Sequence, residues 1–242
     1  MQISEVSRNT IPLISMITEY SKLDNPVWFS LTETHKDIAI EFDNVKFYNP
    51  EYCPFGGFIK IDETAKYLDQ YSAHTSNFFV VGDQPKFDNP LILNRELICN
   101  QMVLDHTINI DKDEEIIELD ATHKTDLLDL VNLVQPGYFK NKTPELGNYY
   151  GIYRGDQLVA VTGERMKMNN FTEVSAVVTH PDHTGRGLAK KLVAYTSNRI
   201  FLENKIPYLH VAETNIGAIK LYEKLGFVTR RKMSFWNFIK TE

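Results

Sequence analysis

Residues Phe171 to Leu192 constrain the fold of this chain more than any other stretch. Val174 to Thr179 is dominated by β-branched and small apolar residues, the composition of a buried strand. Pro181 ends that strand, because proline cannot donate to a ladder. After Gly185-Arg186-Gly187 the apolar residues recur at helical spacing, with Leu188, Leu192, Val193, Thr196 and Ile200 on one face. A strand, a glycine turn and a helix N-terminus in that order can hold an anion. Glycine lets the backbone approach closely, and the first helical N–H groups have no internal partner. Arg186, Lys190 and Lys191 lie in the first helical turns, where the macrodipole disfavours cations, and a bound polyanion reverses that penalty.

A tight turn between strand and helix needs no ligand, so a second segment has to decide. Ile206 to Phe227 supplies it. Tyr208 to Ala212 reads as a short strand, Thr214 or Asn215 caps a helix, Lys224 lies in its last turn and Gly226 terminates it. Taken together, the strand, the turn Thr184-Gly-Arg-Gly-Leu-Ala189, and Asn215, Ala218, Tyr222 and Leu225-Gly226-Phe227 resemble the acyl-CoA motifs of the GNAT superfamily of N-acetyltransferases. Ala176-Val-Val-Thr-His-Pro-Asp-His183 and Pro207-Tyr-Leu-His-Val211 are similar to the glycine N-acyltransferase-like branch. The resemblance covers about the last half of the chain.

Composition narrows the class. A chain of 242 residues suits one large or two small domains, and 43% hydrophobic with 24% charged residues is ordinary for a globular protein. A net charge of -6 argues against a general nucleic-acid binder, while the basic cluster at 186–191 is local. No apolar run approaches the roughly 20 residues of a membrane span. The N-terminus lacks a signal-peptide pattern, and Cys53 and Cys99 cannot make a disulfide framework, so cytoplasm is the expected compartment.

Along the chain, Ile11 to Leu23 predicts a helix with Pro12 in its first turn, followed by the aromatic-rich Asn25 to Thr32. Ile38 to Tyr48 predicts a hairpin turning at Asp43-Asn44. Pro54 to Ile59, Phe78 to Val81 and Glu96 to Leu104 read as strands, and Asp62 to Tyr71 as a short helix. The polar run Asp105 to Glu115 marks a domain boundary. Beyond it come a strand at Ile116–Leu119, a helix at Ala121–Leu133, a long loop at 135–147, and strands at Tyr149–Tyr153 and Leu158–Met166 joined at Arg154-Gly155-Asp156. The fold class is therefore α/β (α+β): a mixed, mostly antiparallel sheet flanked by helices over 113–242. Residues 1–112 form a smaller α/β domain and a candidate degenerate copy of the same fold. That copy has no equivalent of the turn at 184–189 and is expected to hold no cofactor. A ligand crevice is expected between strand 173–179 and strand 208–212.

The resemblance implies acetyl-CoA as co-substrate, no metal, and transfer of an acetyl group to the amine of a small molecule or amino acid. It places the pyrophosphate at Thr184, Gly185, Arg186, Gly187, Leu188 and Ala189, and the pantetheine and thioester at backbone groups of Val177, Val178 and Thr179, with Asn215 touching the cofactor arm. Superfamily motifs carry Gln or Arg where Thr184 stands, so Arg186 and Lys190 are the candidates to supply charge there. It implies Tyr222 as general acid; on periodicity alone Tyr222 is a core aromatic of the face Ala218, Leu221, Tyr222, Leu225. Glu173 stands eleven residues before Thr184, the relation of a general-base glutamate in protein-acetylating members. An amine with pKa about 7.7–8.0 is mostly protonated at neutral pH, so a base is useful. Glu164 is the other candidate, with a salt bridge to Arg165 or a strand-edge charge as its plain structural role. His180 and His183 flank Pro181-Asp182 with no third ligand near, which disfavours a metal site, and His210 is a core or crevice histidine. The competing reading is an acyl-CoA-binding sensor or scaffold without transferase activity. A P-loop is excluded by the absence of its glycine–lysine signature.

Overall fold

A computed structural model describes residues 20–110 and 113–241. The expected helix from Ile11 lies outside the described residues up to Tyr20, beyond which a 3-10 turn spans Ser21–Asp24. The aromatic-rich segment is a helix, α1 (Pro26–Thr32), with Asn25 accepting from Trp28 N–H and Pro26 at its first position. Both start signals stand in the sequence, but seven residues are too few to show a period. The predicted hairpin is β1 (Ala39–Phe42) and β2 (Val45–Tyr48), closed by the Phe42–Val45 pair. There follow β3 (Phe55–Phe58), α2 (Thr64–Tyr71), β4 (Asn77–Val81) and the long β5 (Leu91–Val103). The second half contains β6 (Ile117–Leu119), α3 (Lys124–Val134), β7 (Tyr149–Arg154), β8 (Gln157–Arg165), β9 (Phe171–Thr179), α4 (Leu188–Leu202), β10 (Ile206–Ala212), α5 (Ile216–Lys224) and β11 (Val228–Lys240).

The strands make one mixed sheet in the order β1-β2-β3-β4-β11-β5-β10-β9-β8-β7-β6. The pairs β3–β4 and β9–β10 are parallel and the others antiparallel. That order has an internal symmetry. Reading outward from the β11–β5 pair, each side gives an antiparallel neighbour, then a parallel pair, then an antiparallel meander. The halves have exchanged their last strands: β5 lies against β10, and β11 lies against β4. Residues 111 and 112, where the domain boundary was expected, are outside the described set, and the sheet runs through both halves.

Alternation along the strands sorts the core into two layers. On one face α1 covers Tyr48, Phe171, Tyr208 and Phe235, and α3 covers Tyr149, Val161 and Val178. On the opposite face α4 and α5 cover Val174, Leu209 and Val211, while Tyr71 of α2 stacks on Phe47 at 3.8 Å. The helical stripe expected from Leu188 is buried throughout, at Leu188, Leu192, Val193, Thr196 and Ile200. Among the described residues no helix is long and apolar enough to cross a membrane.

Candidate active site

The site begins as a gap between two parallel strands. β9 and β10 pair over Phe171–Glu173 and Ile206–Tyr208, then part. The cause is a bulge in β9. Between Val161 and Gly163 of β8 its partner advances from Val178 to Ser175, one residue too many, and Ala176 takes φ 49°. An extra residue bends the bulged strand. β8 keeps hold of β9, and β5 keeps hold of β10 along Tyr208–Ala212. The facing edges beyond Glu173 and Tyr208 are left without ladder partners, in the crevice expected from the sequence.

The turn after β9 lies at the mouth of this gap. A 3-10 turn at Pro181–His183 leads into Thr184, whose hydroxyl donates to the Pro181 carbonyl at 3.1 Å. Gly185 and Gly187 have φ of 76° and 77°, and a Cβ on either would meet nothing within 4 Å. Backbone angle, not crowding, requires glycine here. α4 starts with no side-chain cap, and its first internal bond runs from Lys191 N–H to the Gly187 carbonyl. Thr184, Gly185, Arg186, Gly187 and Lys190 are exposed and Ala189 half-buried, while Leu188 is anchored in the core. Of the three cations, Lys191 is committed to Asp113 and Glu114 at 2.8 and 3.3 Å. Arg186 donates to the Asp182 carbonyl, and Lys190 has no ion pair among the described residues. Unmatched donors, open space above two glycines and two accessible cations fit a pyrophosphate.

A cavity of about 500 Å³ passes through the gap. Val177, Ala189, Asn215, Ala218 and Tyr222 line its α4–α5 side. Asn215 also caps α5, accepting from Ala218 N–H at 3.1 Å. The Val178 side chain is buried against α3, so Val178 has its backbone alone to offer a ligand. Tyr222 is buried, and its hydroxyl has no hydrogen-bond partner among the described residues. Burial pushes this phenol up to about 12. On the other side of the sheet the cavity widens into a chamber walled by Phe55, Phe79, Leu97, Cys99, Tyr138 and Phe235. Most of these walls come from the first half, with Tyr138 from the loop 135–147 and Phe235 from β11, the one element here that the sequence reading did not identify.

Glu173 stands between the two compartments and is fully engaged. Its Oε2 accepts from Arg165 Nε at 2.7 Å, and its Oε1 accepts from Arg165 Nη2 at 3.0 Å and from His210 Nδ1 at 2.8 Å. The Gln101 amide fixes the histidine tautomer. Its oxygen accepts from Arg230, so its nitrogen donates to the Leu23 carbonyl and to His210 Nε2, leaving the proton on Nδ1. Burial alone would raise the Glu173 carboxyl, but Arg165 and the hydrogen bonds hold it at about 2. A carboxylate so held is a weak base, and the geometry supports Glu173 as an orienting anion for Arg165 and His210. The expected Glu164–Arg165 bridge does not form. Adjacent strand residues point to opposite faces, so Arg165 meets Glu173, two strands sharing one face, while Glu164 binds Lys167 and Asn148 N–H away from the chamber. Among the described residues no group of three or more His, Cys, Asp or Glu could hold a metal ion.

Comparison with known proteins agrees with this geometry. An FR47-like family model matches residues 149–236. A search of curated proteins finds no match to the sequence. The chain is similar to a crystal structure from Novosphingobium aromaticivorans described as an acetyltransferase of the GNAT family, with 30% identity and a TM-score of 0.84 over 91% of this chain and 99% of that one. In fold it is also similar to a GCN5-related N-acetyltransferase-like protein from Streptococcus suis, at 15% identity and TM-score 0.62 over 95% and 100% of the two chains. A tandem GNAT protein from the clavulanic acid biosynthesis pathway shares the fold at 12% identity and TM-score 0.52 over 80% of this chain and 77% of that one. With 30% identity across nearly all of both chains, a splayed β9–β10 pair and a glycine turn at its mouth, this chain belongs to the GNAT family and has an acyltransferase fold.

Proposed function

We propose that the protein is an N-acetyltransferase that transfers the acetyl group of acetyl-CoA to the amine of a small molecule or amino acid, in the manner of the glycine N-acyltransferase-like branch. The observation that carries the reading is the single cavity that joins the α4–α5 side of the gap to the chamber on the opposite face. A cofactor and an acceptor can approach one another there from opposite sides of the sheet. In this reading residues 1–112 and 113–242 are two copies of one unit, the second holding the cofactor and the first closing the acceptor chamber. The protein acts in the cytoplasm.

Bound acetyl-CoA supplies an activated thioester carbonyl. The backbone N–H groups of 185–189, with Arg186 and Lys190, hold the pyrophosphate, and the open edge of β9 at Val177, Val178 and Thr179 offers hydrogen bonds to the pantetheine arm and carbonyl. Tyr222 lines the cavity, its hydroxyl without a partner among the described residues, and donates a proton to the departing thiolate. Glu173 keeps Arg165 and His210 in place. The test is a screen of amines and peptides for release of free CoA thiol, with the acetylated product identified by mass. Thermal stabilisation by acetyl-CoA with no transfer to any amine would favour the acyl-CoA-binding sensor or scaffold instead.

A further inference from the structure

Gln135, Tyr138 and Ser175 add neutral polar groups to the lining, but the chamber has one open charged feature. Arg165 and Glu173 are the only side-chain cation and carboxylate among its lining residues, with Cys99 kept neutral by burial, which pushes its thiol up to about 12. Glu173 and His210 are closed off, at 1% and 2% side-chain exposure, whereas the Arg165 side chain is 19% exposed. A guanidinium carries five N–H donors arranged as two forks. Glu173 occupies the Nε/Nη2 fork. The Nη1/Nη2 fork has no partner among the described residues, and Phe55 covers the guanidinium face at 4.7 Å. An acceptor that displaces water from this chamber must therefore answer the free fork with oxygen, or leave charged donors unpaired in an apolar site. The rest of the wall asks for a hydrophobic body. Among the described residues no uncompensated carboxylate lines the chamber to attract a second ammonium. Arg95, outside the lining, is exposed and donates to the Tyr138 hydroxyl.

We infer that the acceptor is an amine bearing a carboxylate on an apolar body, and that Arg165 selects it by taking that carboxylate on its free Nη1/Nη2 fork while Phe55, Phe79 and Phe235 pack the body. This rests on the transferase reading above and goes beyond it by naming the acceptor class and the residue that reads it. Glu173 is then a positioning residue: it fixes one fork of Arg165 so that the other is presented to the ligand.

The experiment compares matched amines on the full chain with acetyl-CoA: phenylalanine against 2-phenylethylamine, leucine against 3-methylbutylamine, with spermidine added. Product is measured by mass spectrometry and cofactor binding by thermal shift. Each carboxylate-bearing amine should exceed its partner at least tenfold in kcat/KM. Arg165→Lys keeps a cation beside Glu173 but loses the fork, so the ratio should fall towards one while the acetyl-CoA shift persists. If removal of the variant's fork also prevents folding, the wild-type ratio still decides. Equal or better transfer to the decarboxylated amines, preference for spermidine, or a folded Arg165→Lys with an unchanged ratio would overturn the inference and leave the transferase reading standing. An acetyl-CoA shift with no acetylated amine removes both the inference and the transferase reading, and absence of the shift removes the cofactor site as well.

Discussion

Tyr222→Phe separates a catalytic tyrosine from a core aromatic. The ring is 7% exposed and packs edge-on against Phe227 at 6.0 Å, and both features survive the substitution. The hydroxyl has no partner among the described residues, so its removal breaks no hydrogen bond and should change folding stability by less than about 1 kcal/mol. The kinetic effect follows from acidity. A phenol held at about 12 faces a thiolate whose ordinary pKa is about 8.5. Complete proton transfer between them would be uphill by roughly 5 kcal/mol. Tyr222 therefore assists as the carbon–sulfur bond breaks, and water replaces part of that assistance. Positioned acid catalysis ordinarily contributes about 10²–10⁴-fold. We place the loss here at no less than about tenfold in kcat, equivalent to about 1.4 kcal/mol, with the acetyl-CoA Kd unchanged. The assay is thiol release at saturating acetyl-CoA, alongside a titration of cofactor binding and a denaturation curve for each protein. A folded variant that binds acetyl-CoA normally and turns over within twofold of wild type would refute the acid role.

Three further outcomes are expected. Gly187→Glu puts a side chain at φ 77° and a negative charge at the helix N-terminus; it should cost about 1–2 kcal/mol of stability and abolish acetyl-CoA stabilisation in a thermal-shift assay, and an unchanged shift would remove the cradle assignment. Thr184→Arg alters an exposed position and adds one charged donor, so CoA binding measured calorimetrically at low salt should tighten by no more than about 1.5–3 kcal/mol; equal or weaker binding would show that Arg186 and Lys190 already meet the need. His35 is buried between Ser30, Tyr48 and the Leu146 carbonyl, and burial pushes its pKa down to about 4. The unfolded chain takes up that proton near 6.5, so this contribution is full above pH 6.5 and is lost as pH falls through the folded value, about 3 kcal/mol in all. Denaturant midpoints at pH 7.5 and 4.5 should converge in His35→Asn relative to wild type, and an equal drop in both proteins would contradict the assignment.

Locally determined features were legible in the sequence. The hairpin at 38–48, the buried stripe of α4, the Asn215 cap and the glycine turn each depend on residues within a few positions of one another. The left-handed glycines and the orphan N–H groups follow from chain geometry alone, so a candidate anion cradle could be read before any fold was known. α1 escaped because seven residues show no period despite a cap and a proline. β11 was missed altogether, since thirteen residues with charged and aromatic groups mixed declare no partner. Its place between β4 and β5 is a non-local choice, made by ladder pairing and by burial on both faces. The chamber proposed for the acceptor depends on that choice. Phe55, Phe79, Leu97 and Phe235 are brought together by the exchange of last strands between the two halves. The partnership of Arg165 with Glu173 was likewise decided by tertiary structure. Sequence proximity pointed to Glu164, but the pleat sends adjacent side chains to opposite faces, and only the register of β8 against β9 sets Arg165 opposite Glu173.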